Sequence, residues 1–176
     1  MKIKLILFLI LLLGFAYFVY AYNSHSIDFE IDSSQYVTLA NNSALSPGSG
    51  PITVMVWFKL ESALTATRHI YDDKATTGGS NSVQIRLDSG NSPLCIWRLT
   101  DEFGIDADIV LEPGRWYHIV CIRNTDTGRD MMYLNGKFHL DSADSSGNID
   151  TSGGIVPCVG TTSGGGNCGT GTANFW

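Results

Sequence analysis

Apolar and polar residues alternate along most of this chain with a period of two, the spacing of a strand whose side chains point to opposite faces. The clearest stretch is Arg115–His139, RWYHIVCIRNTDTGRDMMYLNGKFH, where two alternating runs flank the polar turn NTDTGRD. The second run ends in Asn135-Gly136. That pair suits a type I′ hairpin turn, which needs positive φ at both central residues. Three strands joined by short polar turns predict an antiparallel meander. In its first strand Trp116, His118, Val120 and Ile122 share one face, while Tyr117, Ile119, Cys121 and Arg123 share the other.

Further apolar runs at Ile27–Ile31, Tyr36–Leu39, Ile52–Leu60, His69–Tyr71, Val83–Leu87, Leu94–Leu99, Ile109–Leu111 and Ile155–Val159 also read as strands. Gly, Ser, Thr and Asp interrupt every window after residue 26 before a helical period develops. Many short strands separated by turns such as Ser46-Pro47-Gly48 and Asp88-Ser89-Gly90 predict a sandwich or barrel. The strands around Trp57 and Trp116 are expected to turn their apolar faces inward, with His118 as a packed structural residue. Residues 141–176 hold nine of the 19 glycines and predict loops around a single strand.

The order of these segments resembles the laminin-G-like, concanavalin A-like jelly-roll domains. Trp116-Tyr117-His118-Ile119, the polar turn and Met132-Tyr133-Leu134-Asn135-Gly136-Lys137 resemble that family's paired strands. Phe29–Leu39 resembles its opening strands, Ile52–Leu60 its Trp-centred core strand, and Val159-Gly160 stands where the family has Ile-Gly. The resemblance covers about residues 26–176. It implies an all-β fold, a two-sheet antiparallel β-sandwich of the jelly-roll kind. It also implies a closing strand of the type Gly-x-Ile-Asp-Glu-Val-Arg-Ile-Tyr, whereas this chain ends at Asn174-Phe175-Trp176. A domain over residues 22–176 lacking its final strand is the resulting expectation. Where the family places Phe-Asp-Gly, this chain has Phe29-Glu30-Ile31; calcium is the one cofactor the resemblance admits, with Asp32 as a candidate ligand.

The N-terminus reads differently. Lys2 and Lys4 precede an apolar run of 18 residues from Leu5 to Tyr22, and Val19-Tyr20-Ala21 fits a small-x-small cleavage rule. Residues 1–21 are a secretory signal or, uncleaved, an anchor long enough to cross a bilayer. Either way the remainder faces outside the cell, as a secreted or a membrane-anchored domain. Without residues 1–21 the chain keeps 9 basic and 17 acidic residues, a net charge of −8. No basic stripe exists for nucleic acid.

All four cysteines, Cys95, Cys121, Cys158 and Cys168, lie in the exported part, where disulfides persist. Three pairings are open. Cys158 and Cys168 bracket the flexible loop VGTTSGGGN, while Cys95 and Cys121 sit in strand runs that could be neighbours in one sheet. The favoured pairing is therefore 95–121 and 158–168, with two buried thiols as the alternative for the first pair.

Catalytic constellations are missing. Glu30-Ile31-Asp32-Ser33-Ser34-Gln35 has the outline of the laminarinase-like Glu-x-Asp-x-x-Glu, but Gln35 cannot relay a proton as a carboxyl does. There is no Gly-x-Ser-x-Gly and no nucleotide motif. For sugar binding, an aromatic platform beside carboxylates is sought. Two stretches offer it: Tyr71, Asp72 and Asp73, running into the loop Thr76–Asn81, and Trp97 with Asp101. Asn41-Asn42-Ser43 is a glycosylation acceptor in a eukaryotic secretory route. The reading is an exported, non-catalytic recognition module for a glycan or a cell-surface protein. An accessory domain of a longer polysaccharide-degrading enzyme, or a purely structural module, are the alternatives.

Overall fold

The computed structural model describes residues 25–29, 35–40, 48–74, 82–98, 102–143, 147, 149, 157–161, 163–164 and 167–168. Residues 1–24, Glu30, Asp32, Asn41–Ser43, Asp101 and Trp176, which carry several of the expectations above, lie outside them. Among the described residues twelve strands occur: β1 (Val37–Thr38), β2 (Ile52–Lys59), β3 (Arg68–Lys74), β4 (Ser82–Leu87), β5 (Pro93–Arg98), β6 (Glu102–Asp106), β7 (Trp116–Asn124), β8 (Arg129–Leu134), β9 (Lys137–Ala143), β10 (Cys158–Val159), β11 (Ser163–Gly164) and β12 (Asn167–Cys168). They form a six-stranded sheet in the order β1-β10-β3-β4-β5-β6 and a four-stranded sheet in the order β2-β7-β8-β9, with β11–β12 as a small hairpin. Every pairing among these strands is antiparallel.

This is the two-sheet sandwich the alternation predicts. The meander β7-β8-β9 turns at Asn135-Gly136, whose φ values of 52° and 76° are the positive pair a type I′ turn requires. Asn135 adds side-chain support by accepting a hydrogen bond from the His118 amide at 2.9 Å through Oδ1. Ile109–Leu111, read as a strand, is irregular chain that buries Leu111, whose amide donates to the Asn91 carbonyl. Strand β6 is not among the expected strands: EFGID alternates over only five residues with a central glycine, too short a run to stand out, and its place comes from the ladder with β5.

Inward residues from both sheets fill the core. Val83, Ile85 and Leu87 of β4 and Cys95 and Trp97 of β5 face Phe58 of β2 and Ile119, Cys121 and Met132 of β7 and β8. Cys95 and Cys121 join the two sheets as a disulfide with Cα atoms 5.7 Å apart. They are thus neighbours across the core and not within one sheet, because both point inward from opposite layers. The second disulfide, Cys158–Cys168, ties β10 to β12.

The expected orientation of the tryptophan strands is reversed. In β7 the buried face is Tyr117, Ile119, Cys121 and Arg123, and in β2 Phe58 points inward. Trp57 and Trp116 therefore lie on the outer face of the four-stranded sheet, 63% and 47% exposed. The inward positions already hold enough apolar volume, and period two leaves the alternate residues outside. A buried Arg123 is tolerated on the inward face because its guanidinium donates to the carbonyls of Gly48 and Gly147, the latter at 2.6 Å, and lies opposite Asp130 in register.

Candidate functional site

The residues singled out for sugar binding are not gathered into a platform. In β3, Tyr71 and Asp73 share the core-facing side with Val83 and Ile85 of β4, while Asp72 points the other way, opposite Gln84. Both carboxylates are buried. Asp72 accepts a hydrogen bond from Gln84 Nε2 at 3.0 Å, and its other oxygen lies 3.4 Å from His69 Nδ1. Cys158 of β10 is in register with Asp72, so β10 makes β3 an interior strand there. Tyr71 is half-buried. Burial first, and then the charges of Asp73 and Asp72, push its hydroxyl above the ordinary tyrosine value, while the hydroxyl donates a hydrogen bond to Asp73. Trp97 is wholly buried in the core, where no sugar can reach its face. Asp101 and Asp32 fall outside the described residues, among which no group of three or more His, Cys, Asp or Glu side chains is placed to hold a metal ion.

The exposed aromatic site lies at the edge of the sandwich, where β2 meets the first turn of β7. Register sets Trp57 opposite His118 and Lys59 opposite Trp116. The Trp57 and His118 rings stack with centroids 4.7 Å apart, and Lys59 Nζ lies 5.8 Å above the Trp116 ring. Behind the indoles a cleft of about 240 Å³ opens between the sheets, walled by Phe29, Val56, Ile70 and Val159. Its floor depends on Gly160. With φ at +84°, and a Cβ that would sit 2.9 Å from the Phe29 ring, only glycine lets Phe29 pack here.

Chemically, the cleft offers two indole faces and an apolar recess, with an imidazole and an ammonium at its rim. Flat aromatic faces suit the apolar face of a sugar ring, and the polar rim can meet its hydroxyls or a carboxylate. A second, polar cleft of about 430 Å³ lies among Asp88, Ser92, Asp106 and Asp108. One of its carboxylates already closes a turn: Asp88 Oδ1 accepts from the amides of Gly90 and Ser92, both at 2.8 Å. Ser92 Oγ lies 3.3 Å from Asp106 Oδ1.

A family model described as the concanavalin A-like lectin/glucanases superfamily, of the laminin G kind, matches residues 32–172. The chain belongs to that superfamily. Comparison with curated protein sequences finds no significant relative. Among solved structures, the CBM40 module of the Ruminococcus gnavus IT-sialidase superposes with a TM-score of 0.59 at 13% identity, over 81% of this chain and 88% of the module. Structures of that module include complexes with α2,3- and α2,6-sialyllactose. Domains LG4-5 of the mouse laminin α1 chain align at a TM-score of 0.60 and 12% identity, over 77% of this chain and 34% of theirs. NanB sialidase from Streptococcus pneumoniae aligns at 0.63 and 14%, over 85% of this chain and 24% of the enzyme. At these identities the likeness establishes the jelly-roll fold, which hosts binding modules and enzymes alike.

The aromatic cleft was legible only in part. Trp57, Trp116 and His118 stand out in the sequence as alternating residues, but nothing local says which alternate set is outside. A pointer does exist: Val54, Val56 and Phe58 offer β2 a complete apolar face without Trp57.

Proposed function

We infer that this chain is an exported, non-catalytic recognition module that binds a glycan at the cleft between Trp57 and Trp116. The observation that carries the reading is the pair of exposed indoles at the mouth of an apolar recess, with His118 and Lys59 beside them. Burying such rings away from water is favourable, and the flat apolar face of a pyranose can cover an indole. Fold likeness to a sialidase-borne CBM40 module lends support. A second reading, an accessory domain of a longer polysaccharide-processing enzyme, rests on the alignment with about a quarter of a sialidase chain. The buried carboxylates Asp72 and Asp73 enter this reading as structural supports of β3 and not as sugar ligands.

A glycan array that includes neutral oligosaccharides and both sialyllactoses tests the proposal. Trp57→Ala and Trp116→Ala should each weaken binding on the order of tenfold or more, about 1.4 kcal/mol, with an unchanged melting curve because both side chains are exposed. Glycan binding indifferent to both substitutions would move the site elsewhere. No binding to any glycan would leave a protein surface as the partner.

A further inference from the structure

Beyond the cleft, the outer face of the four-stranded sheet carries a feature that glycan binding does not use. Met55 of β2, Val120 of β7, Tyr133 of β8 and Phe138 of β9 are directly opposed in register, one after another, so a single apolar row crosses all four strands. Met55 and Phe138 at its ends are 63% and 55% exposed, and Tyr133 packs edge-on against Phe138 at 5.6 Å. Trp57 lies two residues along β2 on the same face. A sugar laid on this row would lose hydrogen bonds to water and regain almost none, since Tyr133 carries its one hydroxyl. Exposed apolar surface on this scale marks a contact with something apolar.

Two observations say what that is. The first is charge. The chain is net −6, yet the strands' outward positions on this face hold one carboxylate among the described residues, Asp141, and Arg129 pairs with it. Lys59 lies at the margin with its ammonium over the Trp116 ring. The second is the path of the chain. His25, Ser26 and Ile27 line the same cleft as Trp57 and Trp116, and the apolar run Leu5–Tyr22 ends three residues before His25. A segment of that length is long enough to span the hydrocarbon of a bilayer. By sequence, then, that run ends three residues before one that lines the cleft bordering this face. Tryptophan, tyrosine and a lysine at the margin are the residues favoured at a membrane–water interface.

We propose that the outer face of the β2-β7-β8-β9 sheet rests on a lipid surface, the one in which the N-terminal apolar segment ends. The row Met55–Val120–Tyr133–Phe138 meets the acyl boundary, and the cleft beside Trp57 opens sideways at headgroup height. It rests on the apolar row and on where the chain enters the fold, and shares with the glycan reading only residues at the mouth of the cleft.

The full chain, in a Trp176→Phe background and reconstituted into phosphatidylcholine vesicles, provides the test. Its emission then comes from Trp57, Trp116 and the buried Trp97. Spin-labelled phosphatidylcholine should quench that emission, and the Trp57→Phe protein should lose most of the quenchable part. Met55→Ser combined with Phe138→Ser should reduce quenching severalfold while glycan binding and melting stay as in the parent, since both side chains are exposed. Quenching equally strong in the double variant, or absent in the parent although the chain is held by its N-terminal segment, would overturn the proposal. Concentration-dependent self-association abolished by the same double substitution would also overturn it, in favour of a second copy on the row. Loss of glycan binding in Trp57→Ala with quenching of Trp116 retained would leave the lipid contact standing and test the cleft alone.

Discussion

At the residue scale, the polar groups turned inward are the costly ones. Arg123 is 1% exposed, and its guanidinium is satisfied by the carbonyls of Gly48 and Gly147, so it holds two loop segments against the end of the sandwich. The bridge between Gly48 and Ile149 lies at the same place. Arg123→Met should destabilise the fold by roughly 3–5 kcal/mol, because it strands two carbonyls and leaves Asp130 buried opposite an apolar chain. Urea unfolding of this variant, and of one that also carries Asp130→Leu, separates the two costs. The double variant should recover part of the loss. Tyr71 makes a different statement. Its hydroxyl is held in the protonated form by burial and by Asp73 and Asp72. The folded protein therefore binds this proton more tightly than the unfolded chain does. The resulting stabilisation is complete below about pH 10, the unfolded tyrosine value, and stability falls as pH rises from there toward the folded value. Denaturant midpoints measured between about pH 8 and pH 11 should decline less steeply for Tyr71→Phe than for the parent. An identical decline would show that Tyr71 is not the group responsible.

At the element scale, two disulfides do different jobs. Cys158–Cys168 closes a loop with a sequence separation of 10, and Cys95–Cys121 one of 26. Chain-entropy reasoning gives about 2.7 kcal/mol for the shorter loop and about 3.5 kcal/mol for the longer. The difference in practice should be larger. Opening 95–121 leaves two sulfurs in the packed core between the sheets, whereas Cys168 of the second bridge is only partly buried. Replacing Cys95 and Cys121 with Ala should therefore lower stability more than replacing Cys158 and Cys168, by more than the ~0.8 kcal/mol the loop lengths alone imply. Alkylation of the unfolded, unreduced protein followed by peptide mapping should recover the 95–121 and 158–168 cross-links. The strands themselves follow local rules well. Asn135-Gly136 sets the β8–β9 turn, and the alternation of β7 survives intact from sequence to sheet.

For the whole molecule, membership of the concanavalin A-like superfamily accords with the all-β sandwich of a six-stranded and a four-stranded sheet. The non-catalytic reading predicts that the full chain releases no reducing sugar from a panel of glucans, galactans and sialosides, even where it binds them. Release that disappears in Glu30→Gln or Asp32→Asn would reverse it.

What the sequence by itself determined is whatever rests on neighbours along the chain: the strand periods, the hairpin turn, and the near-closure of the Cys158–Cys168 loop. Order along the chain also carried the family resemblance, because segment order and spacing survive when individual residues diverge. The tertiary structure alone decided which alternate face of β2 and β7 meets solvent, since period two defines two faces and ranks neither. It set Cys95 and Cys121 on opposite sheets, turned Asp73 inward and buried Trp97. These are long-range outcomes, fixed by which sheet covers which and by the volume each inward position must fill. The aromatic cleft belongs with them. Trp57, Trp116 and Val159 are distant in sequence, and only the closing of one sheet over the other brings them to one edge.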